Sequence, residues 1–231
     1  MAGVVIEIVW IDMDREDASL GHFFDTLDDE ERARARRYCF ARDRLRFIVR
    51  RGRLRELLAR RLECAPSRIR FCRNFFGKPS IDASNVRFSL SHSHSIALYA
   101  ITEGLEVGCD IERLDPHLPT DQIAERFFAP LEVRMLQSLA PALQVQGFFN
   151  CWTRKEAYVK ARGDGLSLPL DGFVVSLAPG EPAALLHGCD GWSVESFETV
   201  PDYHAAVVAE NAGWRLDLAA VGRASLGKYD A

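Results

Sequence analysis

The same order of predicted elements, a strand followed by helices and then by two strands, occurs twice along this chain of 231 residues. In the first half, the apolar, β-branched residues 4–11 predict the opening strand, and residues 88–101 hold the closing strands. In the second half, the strand that ends at Glu112 comes first, and residues 194–208 close the order. The pattern predicts a duplicated α+β fold whose seam lies near residues 104–108.

Two long segments of the chain have the periodicity of helices. Residues 43–62 place apolar side chains such as Ile48, Leu54 and Leu58 at helical spacing. Residues 146–161 precede Gly163, and glycine commonly ends helices. We expect an N-terminal subdomain at 1–106, a C-terminal subdomain at 107–223 and a tail at 224–231.

The charge of the chain is unevenly distributed. The net charge is −4, yet residues 32–70 contain 15 arginines, no lysine and three acidic residues, which makes this segment +12. Arginine binds phosphate oxygens through a planar, two-pronged guanidinium. The segment is therefore either a solvated helix face, a binding surface for a phosphorylated ligand, or the phosphate-contacting surface of a nucleic-acid-binding module.

The cellular location is inferred from the cysteines and the apolar runs. Six scattered cysteines without a Cys-x-x-Cys pair indicate reduced thiols. Residues 1–10 lack the basic start of a signal peptide, and no apolar run reaches the roughly 20 residues of a membrane span. We expect a cytoplasmic protein that has no membrane partner.

Two carboxylates end the strand predicted at residues 106–112. Residues two apart on a strand point to the same face, so Asp110 and Glu112 would aim at one point unless that strand end faces solvent. Adjacent carboxylates repel, and a hard divalent cation such as Mg²⁺ relieves the repulsion. Glu156 could supply a third oxygen, and the pattern suggests phosphate chemistry.

Glu156 belongs to a helical stripe. Trp152, Glu156 and Lys160 are spaced four residues apart and share one helix face, with Lys155 beside them. A Glu–Lys pair at this spacing is most often a solvent-exposed pair. The tryptophan on the same stripe favours a partly buried face instead, where a glutamate needs a partner or a metal ion.

His92 and His94 allow a competing interpretation. Two histidines in a His-x-His pattern on a strand share one face and could ligate zinc, as in a zinc hydrolase. The serines around them are also typical of a polar turn. We favour anion binding by Ser91 and His92, because no third histidine lies nearby in the sequence.

Five motifs follow one another in a specific order: Phe76-Gly77-Lys78-Pro79, Phe88-Ser89-Leu90-Ser91-His92-Ser93, Val107-Gly108-Cys109-Asp110-Ile111-Glu112, Trp152-Thr153-Arg154-Lys155-Glu156-Ala157-Tyr158-Val159-Lys160-Ala161 and Gly163-Asp164-Gly165-Leu166. Together they resemble the 4′-phosphopantetheinyl transferases of the surfactin-synthetase-activating type, over about residues 28–175. Cys109 replaces the isoleucine or valine common in that family, and His94-Ser95 extends the Ser-His-Ser turn. Neither departure affects a presumed ligand.

The resemblance implies a fold and a reaction. Members of the family are pseudo-twofold monomers of two similar α/β subdomains, with the active site at their interface. They transfer the phosphopantetheine arm of coenzyme A to a serine of an apo acyl or peptidyl carrier protein and release 3′,5′-ADP. Carriers of this kind are acidic, so part of the arginine-rich surface would bind one. The apolar residues 127–128 and 135–136 are the alternative docking surface.

The resemblance also assigns site residues by their motif positions. It implies that Mg²⁺ is held by Asp110, Glu112 and Glu156, and that Glu156 and Lys160 are catalytic. The implied coenzyme A contacts are Arg46, Arg50, Lys78, Ser91, His92, Lys155 and Lys160, with Arg34 as a further candidate. The nucleic-acid-binding module and the zinc hydrolase remain as alternatives.

Overall fold

The computed structural model describes residues 3–16 and 19–218, and the predicted tail at 224–231 lies outside them. The helices are α1 (Leu20–Thr26), α2 (Asp29–Arg36), α3 (Ala41–Leu62), α4 (Thr120–Phe127), α5 (Pro130–Ser138) and α6 (Pro141–Arg162). The strands are β1 (Val5–Asp12), β2 (Phe71–Arg73), β3 (Pro79–Ile81), β4 (Val86–Ser93), β5 (Ile96–Glu103), β6 (Val107–Arg113), β7 (Val174–Val175), β8 (Leu185–His187), β9 (Trp192–Glu198), β10 (Tyr203–Glu210) and β11 (Arg215–Asp217). In the described part, no helix is long and apolar enough to cross a membrane.

Two main sheets organise these elements. The first has the strand order β11-β1-β5-β4, and the second has the order β6-β10-β9. All neighbours are antiparallel except β11, which runs parallel to β1. Strands β2 and β3 form a separate hairpin, as do β7 and β8. Mixed helices and sheets agree with the α+β class expected from the sequence.

The two halves correspond in topology. Each contains an opening strand (β1 or β6), a helix of 22 residues (α3 or α6) and a final antiparallel pair. In both sheets the last strand of the half, β5 or β10, lies between the other two. After β10 the chain returns to the first half, where β11 joins the sheet beside β1. Strand β11 thus pairs with the first sheet, although its residues fall within the range 107–223 predicted for the C-terminal subdomain.

Alternating side chains distribute the core over three layers. On β5, Ala97, Tyr99 and Ile101 pack toward α3, whereas Ile96, Leu98 and Ala100 pack toward the second sheet. On β10, Ala206 and Val208 pack toward α6. Strands that are buried on both faces explain the near-continuous apolar runs of the sequence. The sheets face each other, and the long helices cover their outer faces.

Local sequence accounts for several element boundaries. Asp28 caps α2 through a reciprocal capping box with Glu31. Gly163 ends α6 with a left-handed backbone, at φ 71°. Gly52, inside α3, lies against α1, and a Cβ there would come within 2.6 Å of Phe23 Cβ. This glycine is a packing requirement of the α1–α3 contact.

Candidate active site

Strand β6 and helix α6 bring the predicted acidic residues together. Asp110 and Glu112 point from β6 toward α6, which carries Glu156 and Lys160 one turn apart. The contact is close because Gly108 has no side chain: a Cβ there would clash with the backbone of α6 at Ala157 and Ala161. Gly108 therefore sets the distance between the strand and the helix at this site.

Three serines on β4 join the two sheets at the seam. Ser89, Ser91 and Ser93 alternate along the strand, so their hydroxyls share the face that meets β6. Ser89 Oγ accepts a hydrogen bond from Cys109 N at 3.0 Å, and Ser93 Oγ accepts one from Arg113 N at 3.2 Å. Hydroxyl groups thus bind the edge of the second sheet to the first.

Two of these hydroxyls also hold the carboxylates of β6. Ser91 Oγ donates to Asp110 Oδ1 at 2.6 Å, and Ser93 Oγ donates to Glu112 Oε2 at 2.7 Å. The orienting role of Ser93 was not predicted from the sequence. The period-two spacing of serines on a strand opposite two alternating acids is the signal that could have revealed it.

Lys160 completes the cluster from α6. Its Nζ lies 2.6 Å from Asp110 Oδ1 and donates to Ser91 Oγ at 2.8 Å. Burial lowers the pKa of Lys160, but Asp110 more than offsets this and the pKa is raised. Lys160 is therefore a stable cation at the junction of the two halves.

The carboxylates are incompletely neutralised. Burial, followed by the charge of Asp110, raises the pKa of Glu112 to about 7. Burial and Asp110 also raise the pKa of Glu156. Within the described residues, Asp110 Oδ2 is buried and has no hydrogen-bond partner. A divalent cation would relieve both this unpaired oxygen and the mutual repulsion of the three acids.

A group of cations lies near this cluster on the side of α3. Burial, then Arg50, Lys160 and Arg46, lowers the pKa of His92 to about 4. Arg50 is largely buried beside Tyr99, and no carboxylate pairs with it in the described part of the chain. Arg46 forms a bidentate pair with Asp14, at 2.7 and 2.6 Å. The charges of Arg50, Lys160 and Arg46 thus act on His92, whose imidazole is neutral at pH 7.

A cleft of about 640 Å³ opens between the halves at the same place. Lys78, Ser89, Glu156 and Lys160 line it, and Phe127 contributes to its largely apolar wall. Lys78 Nζ donates to Ala161 O at 2.7 Å and pairs with Glu106 at 2.6 Å. The loop that carries Lys78 is thereby tied to the end of α6.

Lys155 does not join this cluster. It is fully buried, pairs with Glu132 at 2.8 Å and donates to the carbonyl oxygens of Leu170 and Phe173, both at 2.6 Å. The expectation that Lys155 contacts phosphate is wrong for this geometry, because its three donors are used within the core. The pair holds the segment around Leu170, which lines the cleft.

The structure does not bring the two histidines of the zinc alternative onto one strand face. His94 lies in the β4–β5 turn with φ 51°, so it does not share a strand face with His92. Within residues 3–16 and 19–218, no three His, Cys, Asp or Glu side chains are gathered closely enough to hold a metal ion. Asp110, Glu112 and Glu156 influence one another electrostatically without forming a ready-made set of ligands.

Ion pairs explain much of the arginine-rich segment. Arg55 is fully buried, where it pairs with Asp28 at 2.5 Å and with Glu31 at 2.7 Å. Arg51, Arg53 and Arg61 pair with acids at Glu31, Glu16 and Glu7. Arg34 lies over the ring of Phe47 on the exposed surface. Acids from other elements therefore neutralise part of this positively charged segment.

The comparisons with known proteins agree with the motifs. Residues 106–208 match the model of the 4′-phosphopantetheinyl transferase superfamily, and residues 14–103 match an N-terminal 4′-phosphopantetheinyl transferase model. The 4′-phosphopantetheinyl transferase HetI of a Nostoc species is 37% identical over 211 residues, which are 89% of this chain and 87% of that protein. The transferase Sfp of Bacillus subtilis is 31% identical, covering 86% of this chain and 89% of its own.

A solved structure, the holo-[acyl-carrier-protein] synthase of Thermotoga maritima, covers 46% of this chain and 62% of its own. Its TM-score of 0.37 and identity of 20% are too low to bear on the fold. The extent and identity of the HetI and Sfp matches confirm the resemblance inferred from the motifs. The chain belongs to the 4′-phosphopantetheinyl transferase superfamily.

Proposed function

We propose that this protein transfers the 4′-phosphopantetheine arm of coenzyme A to a serine of an apo acyl or peptidyl carrier protein in a Mg²⁺-dependent reaction. The serine oxygen forms a bond to the β-phosphorus, the bond from that phosphorus to the bridging oxygen breaks, and 3′,5′-ADP leaves. The observation that carries the proposal is that Glu156 and Lys160 line the interhalf cleft, that Lys160 pairs with Asp110, and that Asp110, Glu112 and Glu156 influence one another electrostatically.

The cations around the cleft suit the phosphates of coenzyme A. Lys160 lines the cleft, where it would contact the pyrophosphate, and its positive charge would stabilise the charge that develops on the leaving group. Arg46, Arg50 and His92 offer donors beside it for the phosphoadenosine end. Arg50 fits this role best, since it is a largely buried guanidinium that no carboxylate of the described residues neutralises.

Lys78 and Ser91 have different proposed roles. Lys78 lines the cleft wall, with one donor to Glu106 and one to Ala161 O, which leaves one ammonium hydrogen for a phosphate oxygen. Ser91 is buried between Asp110 and Lys160, so its hydroxyl orients those two side chains. We therefore assign Ser91 a positioning role as well as the predicted ligand contact.

The three acids fit a Mg²⁺ ion by their chemistry. Hard divalent ions prefer carboxylate oxygens, and Asp110 Oδ2 has no hydrogen-bond partner in the part of the chain that the structure describes. Asp110, Glu112 and Glu156 are the residues that would hold the ion. When bound, Mg²⁺ would neutralise charge on the pyrophosphate.

Glu156 is the residue best placed to accept the proton of the attacking serine. It lines the cleft one turn from Lys160, and its raised pKa makes it a better base than an exposed glutamate. The proton would pass to Glu156 directly or through one water molecule. Lys160 would remain protonated throughout, because Asp110 stabilises its charge.

The carrier protein would contact the rim of the cleft. Acidic carriers suit the guanidinium groups that acids of this chain do not pair, and Arg126 lies at the rim beside Phe127. The apolar docking surface predicted at residues 127–128 and 135–136 is smaller in the structure. Phe128 and Leu136 are buried, and of these four residues only Phe127 is a large exposed hydrophobic side chain. We also propose that the protein works as a pseudo-twofold monomer in the cytoplasm.

Mass spectrometry of carrier proteins tests the proposed reaction. Apo acyl and peptidyl carrier proteins are incubated with the protein, coenzyme A and Mg²⁺. The intact carrier should gain the mass of one phosphopantetheine arm, and neither EDTA-treated samples nor a carrier with Ser→Ala at the acceptor site should gain it. Absence of the added mass across a broad panel of carriers would contradict the proposal.

A further inference from the structure

A second cavity, of about 670 Å³, lies beside α6 on the C-terminal half. Gln146, Asn150 and Arg154 line it at intervals of four residues, so they form one polar stripe along the helix. This stripe lies opposite the face that carries Glu156, because side chains two positions apart on a helix, such as Arg154 and Glu156, point about 200° apart around its axis. Strands β9 and β10 supply the other wall. The cavity is therefore separate from the proposed active site.

Arg154 is a buried cation in this wall without an acidic partner. Its side chain is 2% exposed. Nε donates to Ser196 Oγ at 3.1 Å, and Nη1 donates to Ser176 O at 2.6 Å. Among the described residues no carboxylate pairs with it, and Nη2 has no hydrogen-bond partner, whereas the buried cations Arg55 and Lys155 each pair with acids. A buried charge normally has a counter-charge, so Arg154 indicates an anionic ligand.

Two further polar groups line the cavity, Thr199 and His204. The hydroxyl of Thr199 is buried and has no hydrogen-bond partner among the described residues. His204 Nδ1 lies 2.7 Å from Asn150 Oδ1, and Asn150 Nδ2 donates to Leu177 O at 3.1 Å. Asn150 Oδ1 is thus the acceptor and His204 Nδ1 carries the hydrogen. Burial and Arg154 lower the pKa of His204, so its Nε2 is an unprotonated acceptor at neutral pH.

The entrance of the cavity has the opposite charge. Glu181, Glu198 and Asp202 line it and are exposed. Glu198 lies directly across the strand pair from His204. A simple anion would meet one cation and three carboxylates there, which is an unfavourable balance. A ligand that places a carboxylate inside and an ammonium group outside would satisfy both regions.

We propose that this cavity binds a small zwitterion of the α-amino acid class, with its carboxylate on Arg154 and Thr199 and its ammonium group on His204 and Glu198. The donors Nη2 of Arg154 and Oγ1 of Thr199 match a carboxylate. The acceptors, His204 Nε2 and the Glu198 carboxylate, match an ammonium group. This inference does not depend on the proposed transferase reaction.

Calorimetric titration of the full chain with each of the common L-amino acids tests the proposal. Acetate, methylamine and inorganic phosphate are titrated separately as the two halves of the ligand and as a plain anion. At least one amino acid should bind at one molecule per chain, and acetate and methylamine should bind at least tenfold more weakly. If none of the amino acids binds, or if phosphate or acetate binds as tightly, the zwitterion site is refuted.

Three variants test whether the amino acid binds in this cavity. Arg154→Met should weaken amino acid binding at least tenfold, with folding checked by circular dichroism. Glu198→Gln changes an exposed residue and should weaken amino acid binding severalfold, so it tests the site even if Arg154→Met does not fold. Glu195→Gln removes the same charge from the other face of β9 and should bind as the unmodified protein does. Equal binding by Glu198→Gln and Glu195→Gln would overturn the assignment.

Discussion

Replacing Ser93 by alanine tests how the proposed Mg²⁺ site is held. Ser93 Oγ donates to Glu112 Oε2 at 2.7 Å and accepts from Arg113 N at 3.2 Å. The side chain is buried, so water does not readily replace either bond. The substitution removes the group that orients Glu112 and leaves all three carboxylates in the chain.

The expected magnitude follows from the lost hydrogen bond. A hydrogen bond to a charged group contributes about 1.5–3 kcal/mol. Glu112 is partly exposed, so the lower end applies, and ~1.5 kcal/mol corresponds to about a tenfold change in an equilibrium constant. We expect the dissociation constant for Mg²⁺ to rise about tenfold in Ser93→Ala, with turnover at saturating Mg²⁺ close to that of the unmodified protein.

Ser89→Ala is the matched control for this experiment. Ser89 lies on the same face of β4, and its hydroxyl accepts from Cys109 N without contacting a carboxylate. Each variant loses one acceptor of a backbone N–H, which should lower the free energy of urea unfolding by about 1 kcal/mol, and Ser93→Ala loses the bond to Glu112 in addition. Calorimetric titration of Mg²⁺ in the presence of coenzyme A then separates them. The same Mg²⁺ affinity in both variants would refute the orienting role of Ser93.

Four further outcomes follow from the structure. Glu156→Gln should abolish transfer while coenzyme A binding stays measurable by calorimetry, and near-normal turnover would exclude Glu156 as the proton acceptor. Lys155→Met should lower the free energy of unfolding by about 3–5 kcal/mol, because Glu132 keeps a buried, unpaired charge; a loss below about 1 kcal/mol in urea unfolding would contradict this. Gly108→Ala should destabilise the fold and reduce transfer by displacing α6, and unchanged melting and turnover would refute that. Carrier affinity, measured by surface plasmon resonance, should fall as salt rises, and salt-independent binding would instead favour the apolar surface at Phe127.

The sequence predicted those parts of the fold that depend on local periodicity. The alternation in β4 and the apolar runs of β5 and β10 identified the strands, and the stripe in α3 identified that helix. The short elements β3 and β8 and helix α1 were not predicted, since segments of three to seven residues carry little periodic signal. The pairing of β11 with β1 is a long-range contact with no local signature.

Among the candidate site residues, the sequence predicted best the side-chain directions that depend only on spacing within one strand or helix. Asp110 and Glu112 share a face because strands alternate, and Glu156 and Lys160 share one because helices repeat every 3.6 residues. Lys155 shows the limit of this reasoning. It is adjacent to Glu156 in sequence, but consecutive side chains on a helix point about 100° apart. Lys155 therefore points into the core, where it pairs with Glu132. Partners that come from distant elements cannot be read from spacing.

The most direct test of the proposed centre is anomalous diffraction from a crystal grown with coenzyme A and Mn²⁺, a substitute for Mg²⁺ whose position can be measured. We predict one strong peak at the end of the interhalf cleft, within coordination distance of oxygens from Asp110, Glu112 and Glu156. A peak bound elsewhere, or none in the presence of well-ordered coenzyme A, would contradict the carboxylate-held metal site on which the proposed transfer depends.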